Sequence, residues 1–460
     1  MSQTAFSSLK LHPALLKNLE SLGYQAMTPI QAQSLPCILE GKDVIAQGKT
    51  GSGKTAAFGL GLLERLDVKR FRVQSLVLCP TRELADQVAK EVRRLGRAIH
   101  NIKVLTLCGG TPFGPQLGSL EHGAHIIVGT PGRIEEHLRK GTLKLDSLTA
   151  LVLDEADRML EMGFQAALDA IIEHTPANRQ TLLFSATFPG QIQSISRRIM
   201  KQPVTVQVAS THDDSSIQQY LYEVNDNFPR LTAVRLLLLH YRPESALVFC
   251  NTKRETQEVA DALYHHGFSA LALHGDLEQR DRDQTLVRFA NKSTSVLVAT
   301  DVAARGLDID ALDVVINYHI ARDAEVHVHR IGRTGRAGSK GIACTLYNEK
   351  ENFKVARLEA YIDQTIDIEP LPPTSLLETP TYKPPMTSLL IDGGKKQKVR
   401  PGDILGALTG ENGIIGKQVG KIHIFDNRAY VAVSQEACSR ALKKLEQGKL
   451  KGRSFRVRRI

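Results

Sequence analysis

Three carboxylates that directly follow an apolar run are the first residues whose spacing indicates chemistry. The apolar residues 151–153 have the character of a buried strand, yet Asp154, Glu155 and Asp157 come within the next four positions. Unpaired charge at the end of a core strand is costly, so these acids need a cation, a set of hydrogen-bond donors or a charged partner. The sequence therefore indicates a polar site at this position.

A glycine-rich stretch about 100 residues earlier supplies a matching chemistry. Residues 48–55, GKTGSGKT, fit the pattern G-x-x-x-x-G-K-[ST] and follow the strand-like run VIAQ. In such a loop, backbone N–H groups cradle phosphates at a helix N-terminus, the lysine reaches the outer phosphates and the hydroxyl binds Mg²⁺. The alternative, a chance glycine-rich turn, would leave the acidic strand end unexplained.

We therefore expect ATP and Mg²⁺ at this loop. In P-loop sites the acid after the second strand faces the metal ion, normally through water, so Asp154 and Thr55 are the predicted metal ligands. Glu155 is then placed to orient and deprotonate the attacking water, and Lys54 completes the predicted catalytic residues of this region. The predicted nucleotide-binding residues of the loop are Thr50, Gly51, Ser52, Gly53, Lys54 and Thr55.

The elements that must position these residues repeat one rhythm twice. Residues 1–207 alternate strand-like runs such as SLVLCP and TLLFSAT with amphipathic stretches, and residues 218–368 repeat the pattern with ALVFCN, SVLVATD and IACTLY. This alternation predicts an α/β fold with two parallel sheets covered by helices. The short polar segment 208–217 is typical of an interdomain hinge. Six prolines within residues 369–385 predict a semi-rigid extended linker before residues 386–460.

Composition excludes several classes of protein. The chain has 460 residues, 42% of them hydrophobic, enough for about three domains with apolar cores. It shows no signal peptide and no run of 18 apolar residues, so we expect a cytoplasmic protein without a membrane partner. Six cysteines occur without a C-x-x-C pair, mostly in apolar runs, and are expected to be reduced core thiols rather than disulfides or zinc ligands.

The charge of the chain is concentrated at its C-terminal end. Residues 386–460 contain 16 Lys and Arg against 6 Asp and Glu, a net charge of +10, whereas the rest of the chain holds 43 of each sign. A compact basic region of this kind favours a polyanionic partner such as nucleic acid. A basic face that only maintains solubility is the alternative.

The motif Asp154-Glu155-Ala156-Asp157 resembles the signature of the DEAD-box ATP-dependent RNA helicases, whose other motifs occur in order across roughly residues 6–340. GYQAMTPIQ resembles the adenine-reading Q motif, which implies that Gln31 bonds the adenine edge and that Phe6 stacks on the ring. SAT, residues 185–187, implies that Ser185 and Thr187 bond to Asp157. That acid would then be a structural latch that couples the nucleotide site to RNA.

Three further motifs of the first block, PTRELA, GG and TPGR, resemble the RNA-backbone motifs of this family. Glycine backbone, threonine hydroxyls and guanidinium groups can grip phosphate and sugar without reading bases. Taken singly, each motif is more often a loop or a helix cap. The RNA-binding residues that the resemblance implies here are Pro80, Thr81, Arg82, Gly109, Gly110, Thr130 and Arg133.

The second block carries the remaining family motifs, and the resemblance implies that the two blocks are RecA-like lobes. In HRIGRTGR, Arg333 and Arg336 have the spacing of arginine fingers, which stabilise charge on the transferring γ-phosphoryl group when the lobes close. Asp308 resembles the acid near the ribose, while Arg282 and Thr300 resemble RNA-backbone contacts. An isolated R-x-x-R pair is more often a solvated surface pair.

Residues 386–460 resemble an RRM-type βαββαβ module. Asp426, Arg428 and Tyr430 stand where a basic residue and two aromatics face outward in such modules, and Leu390 replaces an aromatic residue of the first strand. Base stacking on the sheet is therefore weakened. We expect basic loops and edges to hold RNA, with Arg428 and Tyr430 contributing.

The combination of a motor core, a Pro-rich linker and a basic, degenerate RRM resembles one bacterial group of DEAD-box proteins. The resemblance implies recognition of a 23S rRNA hairpin near the peptidyl-transferase region, within pre-50S particles. It also implies remodelling of nearby duplexes during ribosome assembly, by a monomer without an obligate protein partner.

The predicted activity is that of an RNA-stimulated ATPase which closes two lobes around ATP and single-stranded RNA and melts short duplexes locally. Two other classes stay open. A non-hydrolysing, ATP-gated RNA clamp would close without turnover, and Lys54, Glu155 and Arg336 argue against it. A DNA-directed translocase would step processively, and comparing ATPase stimulation by RNA and DNA of one sequence distinguishes it from an RNA enzyme.

Overall fold

The computed structural model of the chain describes residues 4–48, 51–188, 190–208, 217–225, 227–304, 312–335 and 341–460. These residues form two compact units, of which the first ends at residue 208 and the second begins at residue 217. The predicted hinge, 208–217, falls almost entirely outside the described residues.

Within the described residues, no helix is both long and apolar enough to cross a bilayer. All six cysteines are free thiols and five are buried, which confirms the prediction of reduced core thiols.

Lobe 1 is built on a parallel sheet. Its described strands are β1 (Val44–Gln47), β2 (Ser75–Leu78), β3 (Val104–Leu107), β4 (Ile126–Gly129), β5 (Ala150–Asp154), β6 (Gln180–Ser185) and β7 (Val204–Gln207). They pair in the order β3-β4-β2-β5-β6-β1-β7. The helices are α1 (Pro13–Ser21), α2 (Pro29–Leu39), α3 (Lys54–Glu64), α4 (Arg82–Leu95), α5 (Phe113–Glu121), α6 (Pro131–Arg139), α7 (Ala156–Glu161), α8 (Gln165–Glu173) and α9 (Gly190–Ile199).

The sheet of lobe 1 is buried on both faces, which explains the continuous apolar runs of its strands. In β5, Val152 belongs to one apolar core cluster while Leu151 and Leu153 belong to another. Successive strand residues point to opposite faces, so a strand between two helical layers must be apolar throughout. The acids that follow Leu153 therefore emerge at the carboxyl edge of the sheet.

Lobe 2 repeats this architecture. Its described strands are β8 (Ile217–Glu223), β9 (Ala246–Cys250), β10 (Ala270–Leu273), β11 (Val296–Thr300), β12 (Val314–Asn317), β13 (Gly341–Tyr347) and β14 (Asp367–Ile368). They form a parallel sheet in the order β10-β11-β9-β12-β13-β8-β14. The helices are α10 (Arg230–Tyr241), α11 (Lys253–His265), α12 (Gln279–Ala290), α13 (Asp301–Ala304), α14 (Ala324–Ile331) and α15 (Asn352–Ile362).

The C-terminal module has an antiparallel sheet with two helices on one face. In chain order it contains β15 (Met386–Ile391), α16 (Pro401–Thr409), β16 (Val419–Ile424), β17 (Ala429–Ser434), α17 (Cys438–Gln447) and β18 (Val457–Arg459). The strands pair in the order β16-β17-β15-β18. The predicted fold class, two α/β lobes with parallel sheets and a C-terminal α+β module, is confirmed.

The Pro-rich segment 369–385, here called the strap, differs from the extended linker predicted from the sequence. Its apolar side chains pack against the core of lobe 2; they are Leu371, Leu376, Leu377 and Tyr382. Thr381 Oγ1 donates a hydrogen bond to the Gly267 carbonyl at 2.9 Å, and the Tyr382 ring lies edge-on to Phe268 at 6.2 Å. The burial of these side chains holds the strap against lobe 2. Proline content alone does not predict this packing.

The sheet face of the C-terminal module that lies opposite its helices, here called the docked face, packs against lobe 2. Leu390 and Tyr430 form a buried apolar cluster with Val287 of α12. Beside this cluster, Asn291 Nδ2 donates to Ser388 Oγ at 2.9 Å. The strap and the docked face together explain why lobe 2 and the module form one compact unit.

A buried histidine gives lobe 2 a predicted pH dependence. His327 on α14 is 1% exposed, and burial together with the nearby Arg330 lowers its pKa to about 3. The unfolded chain, with an ordinary histidine pKa near 6.5, binds the proton first, so stability falls as the pH drops below about 6.5. At pH 5 this amounts to about 2 kcal/mol, since each pH unit contributes about 1.4 kcal/mol.

We expect His327→Gln to lessen the loss of unfolding free energy between pH 7.5 and pH 5 by about that amount, as measured by chemical denaturation at both pH values. The glutamine amide keeps a polar group near Gln219, whose side-chain oxygen lies 3.4 Å from His327 Nε2. The control is His240→Gln, because His240 is exposed on α10. An equal pH dependence in wild type and His327→Gln would contradict the assignment.

Candidate nucleotide and RNA site

The P-loop of lobe 1 joins β1 to α3 through glycines with left-handed backbone conformations. Gly51 and Gly53 have φ values of +83° and +92°, which residues with a side chain rarely adopt. A Cβ atom on Gly53 would also lie only 2.5 Å from Gln31 Nε2. Lys54 begins α3, is buried, and donates from Nζ to the Gly48 carbonyl at 2.7 Å. The lysine is therefore held within the loop, beside Ser52 and Thr55.

Gln31 and Thr28 fasten this loop to α2. Gln31 is 2% exposed; its Nε2 donates to the Gly53 carbonyl at 3.0 Å and its Oε1 accepts from the Thr28 backbone at 2.9 Å. Thr28 Oγ1 donates to the Ser52 carbonyl at 2.8 Å. The adenine contact of Gln31 stays a prediction, whereas its hold on the P-loop was not predicted. Thr28 was missed too, although a threonine directly before a proline is a helix-start signal.

Phe6, the residue predicted to stack on adenine, lies in the core of lobe 1. Its ring is 5% exposed, belongs to the core of lobe 1 and meets Tyr24 edge-on at 6.0 Å between ring centroids. An adenine ring needs an open aromatic face for stacking. The structure packs most of the Phe6 ring into the core of lobe 1, and its stacking on adenine stays a prediction.

The two acids assigned to chemistry are both buried at the carboxyl end of β5. Asp154 is 3% and Glu155 6% exposed. Burial raises the pKa of Asp154 to about 7; Lys54 opposes this rise and Glu155 adds to it. Glu155 has φ +51°, a strained conformation for a residue with a side chain, and its Oε2 has no hydrogen-bond partner among the described residues. The nearest cation is Arg158, with Nε 3.9 Å from that oxygen.

The third acid has different surroundings from the first two. The carboxylate of Asp157 accepts hydrogen bonds from Thr187 Oγ1 at 2.9 Å and from the Thr187 backbone at 3.0 Å. Ser185 is engaged differently, because its hydroxyl accepts from the Asp157 backbone at 3.4 Å and its carbonyl accepts from Gly48 at 3.0 Å. SAT is thus bonded both to Asp157 and to the start of the P-loop.

We expect Thr187→Val to separate hydrolysis from unwinding. Valine keeps the shape but removes the hydroxyl bond to the Asp157 carboxylate, and a bond to a charged group is worth roughly 1.5–3 kcal/mol. The number of short duplexes separated per ATP hydrolysed should fall about tenfold or more, measured as strand separation and phosphate release in one reaction. Thr181→Val, which removes another buried β6 hydroxyl, is the control. An unchanged ratio in Thr187→Val would remove Thr187 from the coupling.

The predicted RNA-contact residues of lobe 1 come together at one edge of its sheet. They follow β2, β3 and β4, and carboxyl ends of neighbouring parallel strands meet at the same edge. Thr81 caps α4, with Pro80 before it, and Arg82 lies so close to Gly110 that a Cβ there would be 2.6 Å from its Nη1. The Gly109 backbone donates to Thr130 Oγ1 at 3.3 Å.

Arg133 is held at this edge by residues that the sequence analysis missed. Its Nη2 donates to the Thr111 carbonyl at 3.0 Å, its Nε pairs with Glu136 at 3.0 Å, and its guanidinium lies 5.7 Å from the Phe113 ring centre. Its Nη1 is buried and has no hydrogen-bond partner within the described part of the chain. Glu136 lies three positions after Arg133 on the same helix, and this spacing was the signal from which the ion pair could have been predicted.

In lobe 2 the structure describes part of the predicted set. Arg282 Nη2 donates to the Ala303 carbonyl at 2.9 Å, and Thr300 Oγ1 accepts from the Ala303 backbone at 3.3 Å, so both contact α13. Arg333 is 6% exposed and follows α14. The predicted residues that lie outside the described ones are Thr50, Asp308 and Arg336.

In the C-terminal module, Tyr430 is buried against lobe 2 and is not presented to RNA as the sequence predicted. The side chain is on the face predicted from strand alternation, but it is 1% exposed because lobe 2 covers that face. Arg428, by contrast, lies half-exposed in the turn between β16 and β17. The neighbouring turn after β15 is tied to it, since the Lys395 backbone donates to the Phe425 carbonyl at 2.9 Å.

Three loops of the module lie next to each other and carry basic residues: the turn after β15, the turn between β16 and β17, and the loop before β18. The loop before β18 joins the other two, because the Asp392 backbone donates to the Arg456 carbonyl at 3.0 Å. We call this surface the basic end; its residues are Lys395, Lys396, Lys398, Arg428, Arg453 and Arg456. Only Arg428 was singled out from the sequence, because the folding of the loops decides which basic residues become neighbours.

Comparisons with known families and proteins agree with this architecture. The family model of the DEAD/DEAH box helicases matches residues 28–195, that of the helicase conserved C-terminal domain matches 229–338, and that of the DbpA RNA binding domain matches 388–459. Dbp5 of S. cerevisiae, in a structure bound to RNA and ADP BeF3, is 30% identical with a TM-score of 0.72, and the match covers 80% of this chain and 96% of that one.

Full-length relatives share both the core and the C-terminal module. The ATP-dependent RNA helicase DbpA of Escherichia coli is 56% identical over 99% of both chains. DbpA of Bacillus subtilis is 36% identical over 98% of both. The chain therefore belongs to the DEAD-box ATP-dependent RNA helicases, in the group whose members carry a DbpA RNA binding domain.

Proposed function

We propose that this helicase hydrolyses ATP at the P-loop of lobe 1 with Lys54, Asp154 and Glu155, assisted by Arg333 and Arg336 of lobe 2. Glu155 accepts the proton of the attacking water, and the two arginines stabilise the charge of the transferring phosphoryl group. The separate surroundings of the acids support this division of tasks. One oxygen of Glu155 has no hydrogen-bond partner among the described residues, whereas both oxygens of Asp157 accept hydrogen bonds, one from Thr187 and the other from the Arg158 backbone.

Mg²⁺ fits the oxygen donors at this edge. Asp154 and Thr55 would hold the ion, directly or through water, since a carboxylate and a hydroxyl are the donors that Mg²⁺ prefers. When bound, the ion would neutralise negative charge on the phosphates. The residues that would act beside it are Lys54, which is held in the loop, and Glu155, which would accept the proton of the attacking water.

The RNA target that we propose is a 23S rRNA hairpin within pre-50S particles, bound in the cytoplasm by a monomer. The supporting observation is that the net charge of +10 lies in the C-terminal module, which a DbpA RNA binding domain model matches. Because the docked face is covered by lobe 2, the exposed basic end is the surface that we assign to the hairpin. Basic side chains in these loops would bind RNA phosphates and so supply affinity without stacking aromatics.

The test compares two triple variants of the full chain that lose equal charge. Lys395, Lys396 and Arg428 are replaced by alanine in one; Arg440, Lys443 and Lys449, which are exposed on or after α17, are replaced in the other. Affinity for a 23S rRNA hairpin is measured at several salt concentrations. We expect the first variant to reduce the log–log salt slope by roughly 2 to 3, since each lost phosphate contact contributes roughly 0.7–0.9.

The second variant should keep the wild-type slope to within about one contact. Equal loss in both variants would mean that the module binds through net charge and that the basic end is not the site. Equal affinity of the wild type for an unrelated hairpin of the same length would refute the proposed target. ATPase stimulation by RNA and DNA of one sequence checks that the enzyme acts on RNA.

A further inference from the structure

Arg330 on α14 is buried in a network of hydrogen bonds, although it has no role in the proposed ATP hydrolysis. Its side chain is 2% exposed, although arginine is seldom fully buried. The guanidinium forms a two-pronged ion pair with Asp301, from Nε to Oδ1 at 2.6 Å and from Nη2 to Oδ2 at 2.7 Å. Its Cζ atom lies over the Phe249 ring, 5.1 Å from the ring centre.

The other N–H groups of Arg330 reach two further strand ends. Nη1 donates to the His319 carbonyl at 2.9 Å and approaches Asn317 Oδ1 at 3.4 Å, and Nη2 donates to Asn251 Oδ1 at 3.2 Å. All five donors of the guanidinium are therefore used. Arg330 thus connects the carboxyl ends of β9, β11 and β12 to α14. A lysine has three donors without a fixed fork and could not satisfy the same acceptors.

Both ends of this network lead to residues of the proposed site. Towards the nucleotide, the Arg333 backbone donates to the Arg330 carbonyl at 3.2 Å, so the finger residue follows directly from the fixed end of α14. Towards RNA, Asp301 begins α13, whose Ala303 accepts from the side chain of Arg282. One buried ion pair thus lies between the predicted RNA contacts of lobe 2 and its arginine finger.

We propose that Arg330 is a positioning residue that couples the RNA contacts of lobe 2 to Arg333. A buried ion pair with every donor satisfied has one favourable geometry, and breaking it leaves an unpaired buried charge, so α13 and α14 move as one body. This coupling in lobe 2 complements the bond between SAT and Asp157 in lobe 1. The inference rests on the proposed roles of Arg282 and Arg333.

The experiment uses the full chain with three network variants: Arg330→Gln, Arg330→Lys and Asp301→Asn. Steady-state ATPase is measured as a function of ATP and RNA, and RNA affinity is measured with and without a non-hydrolysable ATP analogue. We expect kcat to fall about tenfold or more in Arg330→Gln, with KM for ATP within about twofold of wild type. The gain in RNA affinity on adding the analogue should shrink, while RNA affinity without nucleotide stays within about twofold.

A double variant identifies the network as one unit. Arg330→Gln combined with Asp301→Asn should lower kcat no further than either single change, because both remove the same link. Arg330→Lys, which keeps the charge, should recover less than half of the lost turnover if the fork geometry is what matters. Additive losses in the double variant would overturn the proposal.

The matched control is Arg230→Lys. The Arg230 guanidinium lies in the same lobe, donates to the carbonyls of Tyr318 and Leu346 at 2.7 and 2.8 Å and pairs with Glu351, yet none of these partners lies on α13 or α14. Thermal unfolding is recorded for every variant. If Arg230→Lys lowers kcat as much as a network variant of equal thermal stability does, the effect of Arg330 is structural and the inference is wrong.

Arg333→Ala separates this inference from the proposed site. A loss of turnover in Arg333→Ala with normal turnover in Arg330→Gln would overturn the coupling and leave the arginine finger in place. Normal turnover in Arg333→Ala would overturn the finger and the coupling together.

Discussion

Replacing Glu155 by glutamine should lower ATP hydrolysis on the order of 10²-fold or more while the enzyme retains RNA tightly. Glutamine keeps the size of the side chain but cannot accept the proton of the attacking water. The amide can occupy the buried position of the carboxylate without breaking a hydrogen bond to Oε2, because that oxygen has no partner among the described residues. ATP binding and lobe closure therefore remain possible. The enzyme should therefore stop with ATP and RNA bound.

The measurement is single-turnover phosphate release together with the dissociation rate of RNA in the presence of ATP. We expect RNA release to slow, because a complex that cannot hydrolyse ATP remains in its RNA-bound state. Glu173→Gln, at the exposed end of α8, is a control for the chemical change itself. Near-normal phosphate release in Glu155→Gln would remove Glu155 from the proposed mechanism.

Removing residues 386–460 should abolish the preference for ribosomal RNA that we propose for this enzyme. The core left behind has no net charge, and the RNA contacts predicted for it are to backbone, so its ATPase should respond weakly and equally to any RNA. The RNA concentration for half-maximal stimulation by the hairpin should rise by at least about tenfold at 0.15 M salt, since the phosphate contacts of the basic end are lost. The stimulation ratio between ribosomal and unrelated RNA should approach one.

The truncated chain also exposes the surface of lobe 2 that the docked face covers. Val287→Ser in the truncated chain removes the uncovered apolar side chain and so controls for aggregation. If the truncated core still discriminates ribosomal RNA as sharply as the full chain, recognition belongs to the core and the assignment of the basic end is wrong.

The sequence by itself was sufficient to predict the two parallel sheets and the edge at which the motifs meet. Buried parallel strands must be apolar on both faces, so runs such as 150–153 and 246–250 are visible in the sequence without tertiary information. Polar residues that follow such runs, Asp154 and Thr81 among them, must then lie at the carboxyl edge. Local spacing also predicted Lys54 at the start of a helix after a glycine-rich turn.

Only the tertiary structure determines which of the residues that the sequence predicts to be exposed are covered by another part of the chain. Alternation along β17 places Tyr430 on the face opposite the helices, but whether that face meets RNA or protein depends on contacts with Val287, more than 140 positions earlier in the chain. The strap is a similar case, because proline content predicts an extended backbone and does not reveal what Leu371 and Tyr382 pack against.

The same limit applies to long-range polar networks. Arg330 lies near the end of α14 and Arg333 follows that helix, at a spacing that a solvated surface pair could also have. Neither the motif nor the helix pattern distinguishes a buried arginine from a solvated one. Arg330 acquires its five acceptors only when β9, β11 and β12 align in one sheet. A hydrogen-bond network between distant strands is a property of their packing order, which local periodicity does not encode.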